Sequence, residues 1–183
     1  MKIDKYLVAI VPPQKIAEEI RELKEFCREK YNTKGALNSP AHITMHMPFE
    51  WRSDRESKLI DDISKFASSR KSFEVQLAGF DSFPPRVIFI AVKENTVMNE
   101  CQRDLHKFFK TELNIFNADY GDRSFHPHVT VAFRDLKKDM FQAAWEEFKD
   151  RTFEASFVCE NLTVLKHDGH YWQPIAGAKF SGH

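Results

Sequence analysis

The sequence lacks an excess of charge of either sign, because 27 lysines and arginines balance 27 aspartates and glutamates. A protein that binds the backbone of an extended nucleic-acid duplex needs a positive field over its surface. The composition therefore excludes an extended duplex as the expected partner. Any phosphate group must instead be recognised by a local arrangement of side chains.

Long apolar runs are also absent from the sequence. The apolar segment 6–11 is too short for a membrane span or the core of a signal peptide, and Pro12 and Pro13 end it directly. We therefore expect no membrane partner and a cytoplasmic location.

Cysteines are few, and their spacing matches no metal-binding motif. Cys27, Cys101 and Cys159 are an odd number, and two of them fall on the apolar stripes of predicted helices. This pattern predicts buried free thiols.

The residues that are present can build a substantial core. Apolar residues make up 42% of the 183 positions, 17 of them are phenylalanine, and 30% of the chain is charged. This balance is typical of a folded protein of one ordinary domain, and no flexible glycine and serine linker divides the chain. We expect one compact domain that acts as a monomer.

The order of predicted elements repeats along the chain. A buried strand at 6–11 and a second at 87–92 each begin the series strand, helix, His-x-Thr strand, helix, strand. This predicts a single domain built from two pseudo-symmetric α+β lobes, approximately 1–80 and 81–183, with strands exchanged between them.

Each half contains one His-x-Thr triplet in a strand-like context. Side chains alternate along a strand, so His42 and Thr44 share one face, as do His128 and Thr130. One such triplet is expected by chance in a sequence of this composition roughly once in three cases, but two at equivalent places in a repeat are not. The pattern predicts a site made from both strands.

The two histidines suit the cleavage of a phosphodiester. One imidazole can activate the nucleophile while the other protonates the leaving oxygen, because the ordinary pKa of histidine, about 6.5, makes both protonation states accessible. The hydroxyls of Thr44 and Thr130 would hold the non-bridging oxygens, and neither a metal nor another cofactor is required.

These segments resemble the motifs of the 2H phosphoesterase superfamily, which includes 2′-5′ RNA ligase-like proteins and cyclic phosphodiesterases. Pro40-Ala41-His42-Ile43-Thr44-Met45 is similar to the first motif, and Phe125-His126-Pro127-His128-Val129-Thr130-Val131-Ala132 to the second. The resemblance implies a bilobal, duplicated α+β fold, with two antiparallel-rich sheets facing across a central cleft and helices outside. It also implies metal-independent cleavage of a cyclic phosphate or 2′-5′ phosphodiester in a nucleotide or RNA end.

Further residues are candidates for contact with the substrate. Strand alternation puts His46 and His126 on the same faces as the two catalytic histidines, so four histidines would line one cleft. A zinc site is then conceivable, but the spacing matches no metal motif and we expect none. Arg86 precedes a strand and can reach a phosphate, while Phe49 and Phe83 can stack on a base.

Two other functions stay open at this point. The segment from His126 to His128 suggests a histidine-triad-like nucleotide hydrolase or transferase, although Thr130 breaks that triad and His42 is then unused. The chain can also be a non-catalytic RNA-binding or nucleotide-binding module that keeps the cleft without turnover.

Overall fold

The computed structural model describes residues 1–117 and 124–181, and within these ranges the chain forms two antiparallel sheets and four α-helices. Short 3-10 turns at Gly35–Asn38 and Ser53–Arg55 precede β2 and α2. The elements, in chain order, are β1 (Ile3–Ile10), α1 (Gln14–Tyr31), β2 (Ile43–Arg52), α2 (Glu56–Ser68), β3 (Phe73–Phe83), β4 (Val87–Val92), α3 (Thr96–Glu112), β5 (His128–Ala132), α4 (Lys138–Phe148), β6 (Glu154–Cys159), β7 (Asn161–His167) and β8 (Trp172–Lys179).

Each sheet has four strands. The first sheet has the order β2-β1-β7-β8 and the second has the order β5-β4-β3-β6. The first sheet thus joins the first two strands of the chain to the last two, and the second is formed by the strands between them. The expected α+β architecture of two antiparallel sheets with helices is confirmed, while the division into two pseudo-symmetric lobes stays a proposal.

The helices divide between the sheets. Helices α2 and α3 contact strands of the first sheet, and α1 and α4 contact strands of the second. On β1, Tyr6, Val8 and Ile10 join Leu59 and Ile63 of α2 in the main buried cluster. The residues between them on β1 are also buried, on the opposite face, and a strand buried on both faces reads as a continuous apolar run. Among the described residues, no helix is long and apolar enough to cross a membrane.

The other face of the first sheet carries a separate, smaller apolar cluster. Leu7, Ala9 and Leu165 are buried there, and Trp172 packs against them. Thr44 pairs with Ala9 across β2 and β1, and paired residues of an antiparallel sheet share a face. Thr44 therefore lies on the same face of the sheet as this smaller cluster, opposite the face that packs against α2 and the main core.

The pairing of β2 with β1 is irregular just after Thr44. Ala9 pairs with Thr44 but Val8 pairs with His46, so Met45 is an extra residue in β2. Because a bulge reverses the alternation, Met45 and His46 are both buried. The prediction that His46 shares a face with His42 and Thr44 is wrong for this reason.

Candidate active site

The two histidines of the His-x-Thr segments are held in the same way. His42 lies immediately before β2 and its Nδ1–H donates to the carbonyl oxygen of Pro40 at 2.7 Å. His128 begins β5, and its Nδ1–H donates to the carbonyl oxygen of His126 at 2.7 Å. A carbonyl can only accept, so Nδ1 carries the proton in both rings and Nε2 is left available for chemistry.

The two segments lie close together. Strands β2 and β5 contact each other although they belong to different sheets, and the charge of His128 acts on His42. Thr44 and His128 line one cavity of about 370 Å³. Thr130 lies two residues beyond His128 on the same strand and is partly buried, as Thr44 is. The structure therefore brings the two His-x-Thr segments next to each other.

The surroundings of both imidazoles favour their neutral forms. Burial lowers the pKa of His42 to about 4, and the positive charge of Lys24 also lowers it. The hydrogen bond to Pro40 acts in the opposite direction, but its effect is smaller than that of burial. Burial also lowers the pKa of His128, and the charge of the neighbouring His126 adds to this effect. The charge of Lys24 lowers the pKa of His42 but does not contribute to the shift of His128, so the two histidines have different electrostatic surroundings.

Aromatic rings support His128. Phe83 meets it edge to face at a centroid distance of 5.2 Å, and the fully buried Phe89 lies 5.0 Å from it. His126 contacts the same two phenylalanines. Phe89 thus packs against both His126 and His128, and the contacts with the two phenylalanines restrict the orientation of the His128 ring.

His46 and Phe49 lie in the core, so their predicted role in binding substrate does not fit the structure. His46 is 1% exposed and stacks on Phe109 at a centroid distance of 3.8 Å, and Phe49 packs edge to face against both rings. The conceivable site of four histidines does not form, because His46 points away from the cleft. Among residues 1–117 and 124–181, no three histidine, cysteine or acidic side chains are grouped to hold a metal ion.

The other two candidates lie on the surface. His126 is exposed and lines the cavity beside His128, while its role in binding substrate stays a prediction. Arg86 is exposed in the turn between β3 and β4 and is not part of the cavity lining. The structure therefore brings His126 to the site and leaves Arg86 outside this cavity.

The structure adds residues that the sequence reasoning missed. Met47, Ser124 and Phe125 line the cavity with Thr44. Lys24 is also part of the site, since its charge reaches His42. A signal for Lys24 was present in the sequence, because it falls on the apolar stripe of α1 between Ile20 and Cys27 at helical spacing.

Paired His-x-Thr segments, brought together from two antiparallel sheets, define the fold class of the 2H phosphoesterases. The chain belongs to the 2′-5′ RNA ligase superfamily, whose family model matches residues 12–171. Among solved structures, it is similar to Escherichia coli LigT complexed with 3′-AMP, with a TM-score of 0.70 and 18% identity over 98% of this chain and 99% of that one. It is also similar to TT0787 of Thermus thermophilus, with a TM-score of 0.64 and 16% identity over the same shares. These similarities confirm the expected fold.

Curated relatives come from Bacillus. A protein of Bacillus thuringiensis (strain Al Hakam) named "Putative phosphoesterase" is 25% identical over 126 residues, which are 68% of this chain and 66% of that protein. "Putative phosphoesterase BCAH187_A1386" of Bacillus cereus (strain AH187) matches to the same extent. The aligned region thus spans just under two thirds of these relatives.

Proposed function

We propose that the protein is a metal-independent phosphodiesterase that cleaves a cyclic phosphate or a 2′-5′ phosphodiester in a nucleotide or RNA end. The observation that carries the proposal is the matched pair of imidazoles. Each has its Nδ1 committed to a carbonyl two residues earlier, and each has Nε2 left for proton transfer. Two such groups, on neighbouring segments of the chain, can supply the base and the acid that in-line displacement at phosphorus requires.

The inequality of the two histidines suggests their roles. The nearby ammonium of Lys24 disfavours a positive charge on His42, so His42 stays neutral and is the histidine that accepts the proton as base. His128 is then the acid, and the negative charge of a bound phosphate stabilises the imidazolium form in which it enters the reaction. Thr44 and Thr130 donate their hydroxyls to the non-bridging oxygens.

The proposed step for a cyclic phosphate is a hydrolysis. His42 Nε2 takes a proton from water, and the water oxygen forms a bond to phosphorus. The bond from phosphorus to one ribose oxygen breaks, and His128 Nε2 gives its proton to that oxygen. The product is a phosphomonoester, and the two histidines exchange protonation states before the next turnover.

A nucleotide substrate fits the character of the cavity. Phe83, Phe125 and His126 line it beside His128, and aromatic faces bind nucleobases by stacking. Crystal structures of LigT complexed with 3′-AMP, ATP and NADP+ have this fold, although they describe that protein. Balanced net charge also favours a short nucleotide or an RNA end over a long duplex.

The test is product identification with 2′,3′-cyclic nucleotides, 2′-5′ dinucleotides and a 1″,2″-cyclic phosphate. We expect turnover of at least one class, undiminished by a strong chelator. His42→Ala and His128→Ala should each lower kcat about 10²-fold to 10⁴-fold, the usual contribution of a general acid or base. His170→Ala is the matched control, because His170 is an exposed loop residue outside the cavity.

The competing functions give different results in the same assay. A histidine-triad-like hydrolase or transferase would keep its activity in His42→Ala and would form a covalent nucleotidyl intermediate on a histidine. A binding module would retain the cyclic nucleotide without forming product. Loss of activity with a chelator and its return with zinc would contradict the metal-independent reaction.

A further inference from the structure

A second cavity adjoins the segment that leads into His42. Its volume is about 160 Å³, and its wall includes Pro40 and Ala41, the two residues before His42. One side is formed by α1 through Arg21 and Lys24, and another by Tyr171 in the turn between β7 and β8. The first cavity borders the chain at Thr44, so the two cavities meet the chain just before and just after His42.

The wall of this second cavity contains a buried ammonium group. Lys24 is 3% exposed, and its Nζ donates to the carbonyl oxygen of Ser39 at 3.0 Å. In the described part of the chain no carboxylate forms a salt bridge with it, so burial lowers its pKa to about 8. A buried lysine without a counter-ion is costly to the fold, and a bound anion would remove that cost.

A second cation stands at the rim. Arg21 is exposed and lies one helical turn before Lys24 on the same face of α1. Its nearest carboxylate oxygen, on Glu25, is 3.9 Å away, and Glu25 makes a closer pair with Arg28 at 2.8 Å. Glu18, the carboxylate that lines the cavity, accepts a hydrogen bond from Gln14. Among the described residues, neither Arg21 nor Lys24 is therefore neutralised by a close carboxylate of its own.

We propose that the second cavity binds another phosphate group of the same substrate, next to the phosphate that is cleaved. This inference rests on the proposed function and names a substrate class, the nucleotides that carry a terminal phosphate in addition to the scissile one. The cavity suits a tetrahedral anion because Arg21 and Lys24 both line it. Its position beside Pro40 and Ala41 places that anion along the backbone of the substrate rather than at the base.

The consequence is a preference between substrates that differ in one group. The matched pairs are adenosine 2′,3′-cyclic phosphate with and without a 5′-phosphate, and 2′-5′-linked diadenosine with and without a 5′-phosphate. The wild-type protein should use the phosphorylated member of at least one pair with a kcat/KM higher by about tenfold or more, the effect of one charge-assisted hydrogen bond.

Variants of α1 test whether Lys24 and Arg21 produce the preference. In Lys24→Met and Arg21→Met the ratio of the two kcat/KM values should fall towards one, mainly through KM of the phosphorylated substrate. Arg21 is exposed, so its replacement tests the inference even if Lys24→Met is poorly folded. Lys15→Met is the control, because Lys15 is an exposed lysine of the same helix that lies outside the cavity wall. It should keep the wild-type ratio.

The ratio separates this inference from the proposed function. Equal kcat/KM values within both pairs in the wild-type protein would overturn the second phosphate site and leave the phosphodiesterase intact. The second phosphate site would also be overturned if Lys24→Met and Arg21→Met both kept the wild-type preference for the phosphorylated substrate. The same conclusion would follow if Lys24→Met lowered kcat/KM equally for both members of each pair. Absence of turnover on all four compounds in the wild-type protein would instead count against the proposed function.

Discussion

Replacing His128 by alanine removes the proposed general acid and leaves the activation of the nucleophile in place. The ring of His128 covers Phe89 and meets Phe83 edge to face, but it is only partly buried and lies on the edge strand β5. Truncation loses these two aromatic contacts, each worth about 0.5 to 1.5 kcal/mol, and the variant should remain folded because the site lies at the edge of the sheet. Thermal unfolding provides that check.

The expected loss depends on the leaving group. For a ribose oxygen, which is a poor leaving group, loss of the acid should lower kcat about 10²-fold to 10⁴-fold, or roughly 3 to 5 kcal/mol in the barrier. A p-nitrophenolate leaves without protonation, so His128→Ala should lose less than about tenfold on a nucleoside p-nitrophenyl phosphodiester. His42→Ala removes the base and should lose activity on both substrates to a similar extent.

The assay compares kcat for both variants and the wild-type protein on both substrates. Recovery of His42→Ala, rather than His128→Ala, by the better leaving group would reverse the assignment of acid and base. If neither variant recovers, the division of labour between the two histidines is refuted. His170→Ala should match the wild-type protein on both substrates, because its side chain lies away from the site.

Burial of the site and of the core leads to three further predictions. The plot of kcat/KM against pH should have its maximum below pH 6.5, and a plateau above pH 7 would contradict this. On the acid side, activity falls as His42 becomes protonated near its pKa of about 4. On the basic side, activity falls as His128 loses its proton above its own lowered pKa. Burial lowers the pKa of His46 to about 4, so the unfolded chain binds a proton that the folded chain excludes, and stability present above pH 6.5 is lost as the pH falls towards 4. Between pH 6.5 and 4, the free energy of unfolding of His46→Phe should fall by up to about 3 kcal/mol less than that of the wild-type protein. If thermal unfolding of this variant has the same pH dependence as the wild-type protein, the lowered pKa of His46 is refuted. Phe83→Ala should raise KM about tenfold for a cyclic nucleotide, because base stacking contributes roughly 1 to 3 kcal/mol. The KM of ribose 2′,3′-cyclic phosphate, which has no base, should change little, and an equal rise in KM for both substrates would argue against stacking.

Much of the site can be read from the sequence because its chemistry is local. The relation of His128 to Thr130 follows from strand alternation, and His42 and His128 are each oriented by a carbonyl only two residues earlier. Alternation failed for His46 because it requires an unbroken register. The bulge at Met45 arises from the pairing of β2 with β1, so the sequence of β2 alone does not predict it.

The sequence by itself determined the class of elements, the core residues of β1 and the four side chains of the His-x-Thr segments, since hydrophobic periodicity and short motifs are properties of neighbouring residues. Only the tertiary structure decided which side chains surround them. Phe83 and Phe89 reach His128 because β3 and β4 pair beside β5, and Lys24 reaches His42 because α1 lies against the segment before β2. These contacts join residues distant in sequence, and the unequal electrostatics of the two histidines arise from them.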